Sequence, residues 1–190
     1  MVTTSCLIAP RKRVWEKNVI LVALGANLSG PWGGPEAGVK EALQRFASYG
    51  IKVDVVSALY RTPAITPYAQ PDFINAVAEL KTELSPADLL QSLLSIENQL
   101  GRVRGGQQWG ARRIDLDLLT YEELKLKSKD LELPHPFMHL RAFVLVPLLE
   151  LEPEFRIPGV GKAQHELELL GRRELESVQM LADETQDSSI

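Results

Sequence analysis
The sequence predicts an α+β fold, a ferredoxin-like βαββαβ antiparallel sheet with two helices on one face, and three observations carry that expectation. Runs at Val19–Leu24, Ile51–Tyr60, Phe73–Leu80 and Ile114–Leu119 have the aliphatic, β-branched or alternating character of strands. Two stretches opened by Pro35 and Pro86 repeat apolar residues at helical spacing. One follows the first strand and the other follows the third, which sets the order of the elements.

Val19–Leu24 is a continuous aliphatic run ended by Gly25-Ala26-Asn27, so it reads as a strand buried on both faces. After a loop with Gly30, Pro31, Gly33 and Gly34, Pro35 stands at the first helical position, where its missing N–H loses no bond. Val39, Leu43 and Phe46 fall on one face of this helix, and Gly50 closes it. Ile51–Tyr60 alternates as the second strand. Arg61–Pro71, with Pro63, Pro67 and Pro71, is an irregular loop of the kind that positions ligands.

Phe73–Leu80 is the third strand. Ser85 then caps a helix whose buried stripe is Leu89, Leu93, Ile96 and Leu100, and Gly101 ends it. Ile114–Leu119 is the fourth strand. Beyond it, Leu131–Leu149 adds a proline-fixed turn and a short helix, C-terminal elements expected to complete α/β/α layers. Gln164–Ile190 is polar and reads as frayed, and no internal repeat or second domain is visible.

A chain of 190 residues suffices for one domain with a real core, and 45% hydrophobic with 24% charged residues excludes disordered and fibrous classes. Against 25 acidic residues there are 21 basic ones, with a pI of about 5.5, so no global field exists to hold nucleic acid. Phosphate chemistry must therefore be local. The longest apolar candidate, Val19–Ala26, is too short for a bilayer, and no membrane partner is expected. A lone Cys6 excludes a disulfide framework and a cysteine zinc cluster, in keeping with a cytoplasmic location. Residues 1–18 read as a disordered leader: Cys6-Leu7-Ile8 precede Arg11-Lys12-Arg13, the reverse of a secretory signal. An organellar address is the alternative, because the first acid is Glu16.

Asp115 and Asp117 stand two apart on a strand, so they project from one face while Ile114, Leu116 and Leu118 project from the other. Carboxylates that close repel unless a divalent cation lies between them, and carboxylates with substrate phosphates are what Mg²⁺ prefers. The plain alternative is the solvent face of an edge strand. What favours the metal is the preceding segment, Gly101–Arg113, which holds no acid, three further glycines, and Arg102, Arg104, Arg112 and Arg113. Guanidinium forks match phosphate oxygens, and glycines let a loop close over a ligand. Trp109 inside that loop is expected to cap something. The combination reads as a polyphosphate–Mg²⁺ site, with a lid over 105–110. Gly101 and Gly106 have P-loop separation, but Gln107-Gln108 replace the required Lys and Ser/Thr, and no GxGxxG occurs. Phe73, Asn75 and Val77 share a strand face, which sets an aromatic plate beside a carboxamide able to donate and accept.

The run Trp109-Gly110-Ala111-Arg112-Arg113-Ile114-Asp115-Leu116-Asp117-Leu118-Leu119 resembles the signature of the 6-hydroxymethyl-7,8-dihydropterin pyrophosphokinase family of folate biosynthesis. Gly25-Ala26-Asn27-Leu28, Tyr60-Arg61-Thr62-Pro63, Gln70-Pro71-Asp72-Phe73-Ile74-Asn75-Ala76, Pro134-His135-Pro136 and Arg141-Ala142-Phe143 are similar to further family segments in the same order. The resemblance implies a pyrophosphokinase domain over 19–163; roughly the first eighteen residues and the last two dozen lie outside it, and 164–190 is expected to form a C-terminal helix and tail. It implies transfer of pyrophosphate from ATP to the pterin's hydroxymethyl oxygen. Asp115 and Asp117 would hold two Mg²⁺ ions, with Arg102 and Arg112 stabilising developing charge. Arg104, Trp109, His135 and Arg141 would complete the ATP site. Phe73 and Phe143 would sandwich the pterin, Asn75 would read its amide edge, and backbone around Thr62, Ala64 and Ile65 would take its other polar atoms. His135, fixed between two prolines, presents one ring rigidly. A monomer with these two small substrates is expected.

Three positions depart from the family pattern: Leu94 for a common glutamine, Gln108 for a usual basic residue and Pro136 for an aromatic. They bear on nucleotide affinity or base selectivity and leave the metal and pterin residues intact. A ferredoxin-like regulatory module shares the topology but has no reason to gather two aspartates and four arginines. An RNA-binding sheet needs a basic surface and an RNP-like run that are missing here.

Overall fold
β1 (Ile20–Ala26) lies inside the sheet because both of its faces are apolar. Ile20, Val22, Leu24 and Ala26 point to one layer, and Val19 and Leu21 to the other. The structure, a computed structural model, describes residues 19–64, 69–102 and 110–182. α1 (Pro35–Arg45) follows with Pro35 in its first turn; its last residues tighten into a 3₁₀ turn over Phe46–Tyr49 that ends at Gly50, whose φ of 70° suits glycine. β2 (Lys52–Val56) and β3 (Tyr60–Thr62) come next, then β4 (Phe73–Lys81). In α2 (Pro86–Gln99), Ser85 caps the helix by accepting from the Asp88 N–H at 3.2 Å. β5 (Asp115–Tyr121) is the strand at one margin of the main sheet.

β1 pairs antiparallel with β4 on one side and β5 on the other. Along its far side β4 carries β2 at one end and β3 at the other. This is the expected ferredoxin-like arrangement, with α1 and α2 packed on one face through Val39, Ala42, Phe46, Leu89, Leu93 and Ile96. The opposite face is closed by later elements. After the β6 (Leu126–Lys127) and β7 (Glu132–Leu133) hairpin, α3 (Ala142–Leu151) buries Val144, Leu145 and Leu148. The β8 (Arg156–Ile157) and β9 (Gly161–Lys162) hairpin leads into α4 (Ala163–Leu170), which adds Ala163 and Leu167 to the same cluster. The result is an α/β/α sandwich.

Two expectations are corrected. The single strand Ile51–Tyr60 is divided at Ser57, whose N–H donates to the Val77 carbonyl at 2.9 Å while its hydroxyl accepts from the Val77 N–H at 3.0 Å. A side-chain oxygen thus replaces a ladder carbonyl and the backbone leaves the strand. The frayed reading of Gln164–Ile190 fails over 164–182. There α4 is followed by α5 (Arg172–Glu176) and by β10 (Gln179–Met180), which pairs with β3. Among the described residues, no helix is long and apolar enough to cross a membrane.

Candidate functional site: two cavities that meet at β5
The site grows from the register of three strands. Gly25 on β1 is paired with Asn75 of β4 on one side and Asp115 of β5 on the other, and Ala23 is likewise paired with Val77 and Asp117. Strand alternation turns Phe73, Asn75, Asp115 and Asp117 toward the α3 side of the sheet. Ala23 and Gly25, the smallest side chains of β1 on that side, leave room between them. The resulting cavity of about 110 Å³ is lined by Phe73, Asn75, Arg112, Asp115, Asp117, Arg141 and Phe143 over the β1 floor. An ideal Cβ built on Gly25 would lie 3.3 Å from Asn75 Oδ1, so any side chain there would crowd the amide.

A second cavity, of about 350 Å³, opens between α2, β5 and the β6–β7 turn. Leu90, Leu94, Glu97, Arg102, Lys129, Asp130, His135 and Pro136 line it, together with Asp115 and Asp117. The two aspartates therefore belong to both cavities. Leu94 and Pro136, two of the three departures from the family pattern, sit on this wall and make it more apolar.

Cations close around the aspartates. Arg102 and Arg112 each pair with Asp115, one on each carboxylate oxygen, and Arg102 also pairs with Glu97. Burial by itself would lower the pKa of the Arg102 guanidinium, but the charges and hydrogen bonds of Asp115 and Glu97 raise it overall. Arg141 Nη1 lies 2.9 Å from Asp117 Oδ2, and its Cζ sits 5.7 Å above the Phe143 ring and 5.9 Å above that of Phe137. His135 Nδ1 accepts the Phe137 N–H at 3.2 Å, leaving Nε2, 3.9 Å from Asp117 Oδ2, to carry the proton of the neutral ring. Burial lowers the His135 pKa; Asp117 opposes this and Arg141 reinforces it. Among the described residues no three metal-ligating side chains cluster, so a divalent ion here would rest on Asp115 and Asp117 with substrate oxygens completing its shell.

On the other side of the floor, Asn75 Nδ2 donates to Thr62 Oγ1 at 2.8 Å, which fixes the plane of the amide. Arg112 Cζ stands 5.9 Å over the Phe73 ring. Phe73, Asn75 and Phe143 thus gather at the small cavity, with Thr62 directly behind Asn75. Ala64 lines neither cavity. Ile65, Arg104, Gln108, Trp109 and most of the expected lid fall outside the described residues. The contributions of three residues escaped the sequence reading. Glu97 is buried, and its Oε1 accepts the Leu116 N–H at 2.8 Å while pairing with Arg102; an acid next to the apolar stripe of α2, four residues after Leu93, was the available signal. Gly25 and Ala23 were legible only as two small residues alternating within an aliphatic strand.

Residues 21–153 match the family model described as 7,8-dihydro-6-hydroxymethylpterin-pyrophosphokinase. The chain belongs to that family. A 2-amino-4-hydroxy-6-hydroxymethyldihydropteridine pyrophosphokinase of Pseudomonas aeruginosa is 40% identical over 162 residues, 85% of this chain and 96% of that protein. The enzyme of the same name from Methylorubrum extorquens is 46% identical over 138 residues, 73% of this chain and 85% of its own length. A Synechocystis counterpart is 47% identical over 113 residues, 60% of this chain and 57% of that protein. Among solved structures, a Plasmodium falciparum HPPK-DHPS variant with SDX-DHP superposes with a TM-score of 0.65 at 15% identity, covering 86% of this chain and 48% of that one. The pyrophosphokinase match takes in every candidate site residue and ends before α4.

Proposed function
We propose that the chain transfers pyrophosphate from ATP to the hydroxymethyl group of 6-hydroxymethyl-7,8-dihydropterin, giving AMP and the pterin diphosphate for folate biosynthesis. Membership of the pyrophosphokinase family supports the reaction. One observation of the geometry carries the assignment of the site: a small cavity with aromatic plates and a carboxamide, and a larger cavity edged by arginine, share the carboxylate face of Asp115 and Asp117. A pterin in the first and a triphosphate in the second would meet at those two side chains.

In the transfer, the hydroxymethyl oxygen attacks the β-phosphorus, the bond from that phosphorus to the α,β-bridging oxygen breaks, and AMP leaves with the electron pair. Phe73 and Phe143 would hold the pterin ring between them, Asn75 would fix its rotation through the amide edge, and Thr62 keeps Asn75 aimed. The described arginines at the junction, Arg102, Arg112 and Arg141, present charge where it develops on phosphate oxygens, as preorganised donors do in phosphoryl transfer. Arg104 and Trp109 belong to the ATP side in the same reading. Neutral His135 offers an Nε2–H donor toward the phosphates beside Asp117. The hydroxymethyl oxygen would lose its proton with the help of the charges gathered at Asp115 and Asp117. Asp115 and Asp117 are the residues that would hold two Mg²⁺ ions, which would supply charge neutralisation along the phosphates.

A monomeric enzyme in the cytoplasm belongs to the same proposal, and the lone Cys6 is in keeping with a reducing compartment. The deciding experiment is AMP release from ATP in the presence of Mg²⁺, with and without the pterin. Pterin-dependent AMP formation is the expected result. AMP release indifferent to the pterin, or absent with both substrates, overturns the proposal.

A further inference from the structure
Asn27 directly follows β1 and is 2% exposed, yet it lines neither cavity. Both donors of its amide are used. Nδ2 donates to Gln70 Oε1 and to the Pro71 carbonyl, both at 3.1 Å, and Oδ1 accepts the Arg112 N–H at 2.7 Å. The Arg112 carbonyl in turn accepts from the N–H groups of Asn27 at 3.0 Å and Leu28 at 3.1 Å. Pro71 stands two residues before Phe73, and Arg112 three residues before Asp115. One planar amide, anchored to a central strand, therefore fastens the backbone entering the aromatic wall of the small cavity to the backbone entering the carboxylate face.

We infer that Asn27 is a positioning residue that links the two ends of the site, so that occupancy of one cavity changes affinity in the other. The amide is rigid and has no spare donor, so a shift of the Arg112 backbone that tilts its plane must move the bonds to Gln70 and Pro71 as well. Each end thus feels the state of the other, which is what energetic coupling between two sites requires. The inference rests on the pterin and ATP reading above.

The test uses the full chain, α,β-methylene ATP with Mg²⁺, and 6-hydroxymethylpterin, each titrated calorimetrically alone and in the presence of the other. In the unaltered protein each ligand should strengthen the other by about fivefold or more. Asn27→Asp keeps the acceptor for Arg112 but sets a carboxylate oxygen against the Pro71 carbonyl. It should cut the mutual strengthening by about fivefold or more while each separate affinity stays within about threefold. Gln70→Ala removes one bond at a part-buried position and should reduce it partially, and this variant decides the matter if Asn27→Asp does not fold. Unchanged coupling in a folded variant, or both separate affinities falling together, overturns the inference while turnover of the unaltered chain leaves the functional reading standing. Failure of the unaltered chain to form AMP overturns the functional reading and removes the two substrates to be coupled.

Discussion

Asn75 and Asp115 lie on opposite sides of Gly25, the β1 residue in register with both. A carboxamide and a carboxylate are thus held two strand spacings apart with no side chain between them. Gly25→Ala should fill that gap, because the new Cβ would press on Asn75 Oδ1 at 3.3 Å. Overpacking costs up to about 1–3 kcal/mol, and here it should be relieved by displacing the Asn75 amide, so that pterin affinity falls together with some thermal stability. Calorimetry with 6-hydroxymethylpterin reads it. Normal affinity in this variant would place the pterin elsewhere.

Asp115→Asn and Asp117→Asn should each lower turnover by at least about a hundredfold, the effect of removing one preorganised charged group. The fold should survive, since both side chains face the cavities while Leu116 and Leu118 on the same strand remain in the core. Circular dichroism checks the fold and AMP release checks the rate. Near-normal activity at saturating Mg²⁺ would dismiss the metal assignment.

Phe73→Ala removes one aromatic plate. Pterin binding should weaken by roughly 0.5–1.5 kcal/mol beyond the lost burial, whereas binding of a non-hydrolysable ATP analogue should change less. Because Arg112 leans over the same ring, a small effect on the nucleotide is expected. Equal losses for both ligands would mean that Phe73 serves packing alone.

The pH dependence has a specific marker in Tyr60. Burial, and the hydrogen bond it donates to Glu150 at 2.9 Å, push its pKa from 10.0 up to about 12. The folded state therefore holds this proton more tightly than the unfolded state, and the stability so gained is complete below about pH 10 and is lost as pH rises through about 12. Tyr60→Phe should be less stable than the unaltered chain at pH 8 by about 1.5 kcal/mol, the low end for a bond to a charged acceptor. Urea denaturation at increasing pH should show that difference shrinking. A constant gap from pH 8 to pH 11.5 would refute the assignment.

Most of the sheet was legible because its signals are local. The Leu89, Leu93, Ile96 and Leu100 stripe, the Ser85 cap and the Asp115–Asp117 alternation need only neighbouring residues to be read. The break at Ser57 was not legible, because it depends on Val77 in another strand and on Glu150, whose carboxylate takes the Ala58 N–H from 92 positions away. α5 and β10 are too short to announce themselves and are held by contacts with α3 and β3. At the site, the residue types that bear charge or aromatic rings could be named from sequence. The work of Glu97, Gly25 and Asn27 could not, since each acts through register or burial.

The outer margin beside β4 has two halves, and each deals differently with the risk that an open strand recruits another chain. Along β3 the margin is taken by β10, which is itself only two residues long and so offers a stranger almost no backbone to join. Along β2 the register slips between Val53 and Val55, and Lys52 stands exposed at the strand's start. Among the described residues, no long straight row of unpaired amides remains on that side. With a net charge of only −4, the chain's resistance to strand-by-strand aggregation there is built into its backbone geometry more than into charge repulsion between molecules.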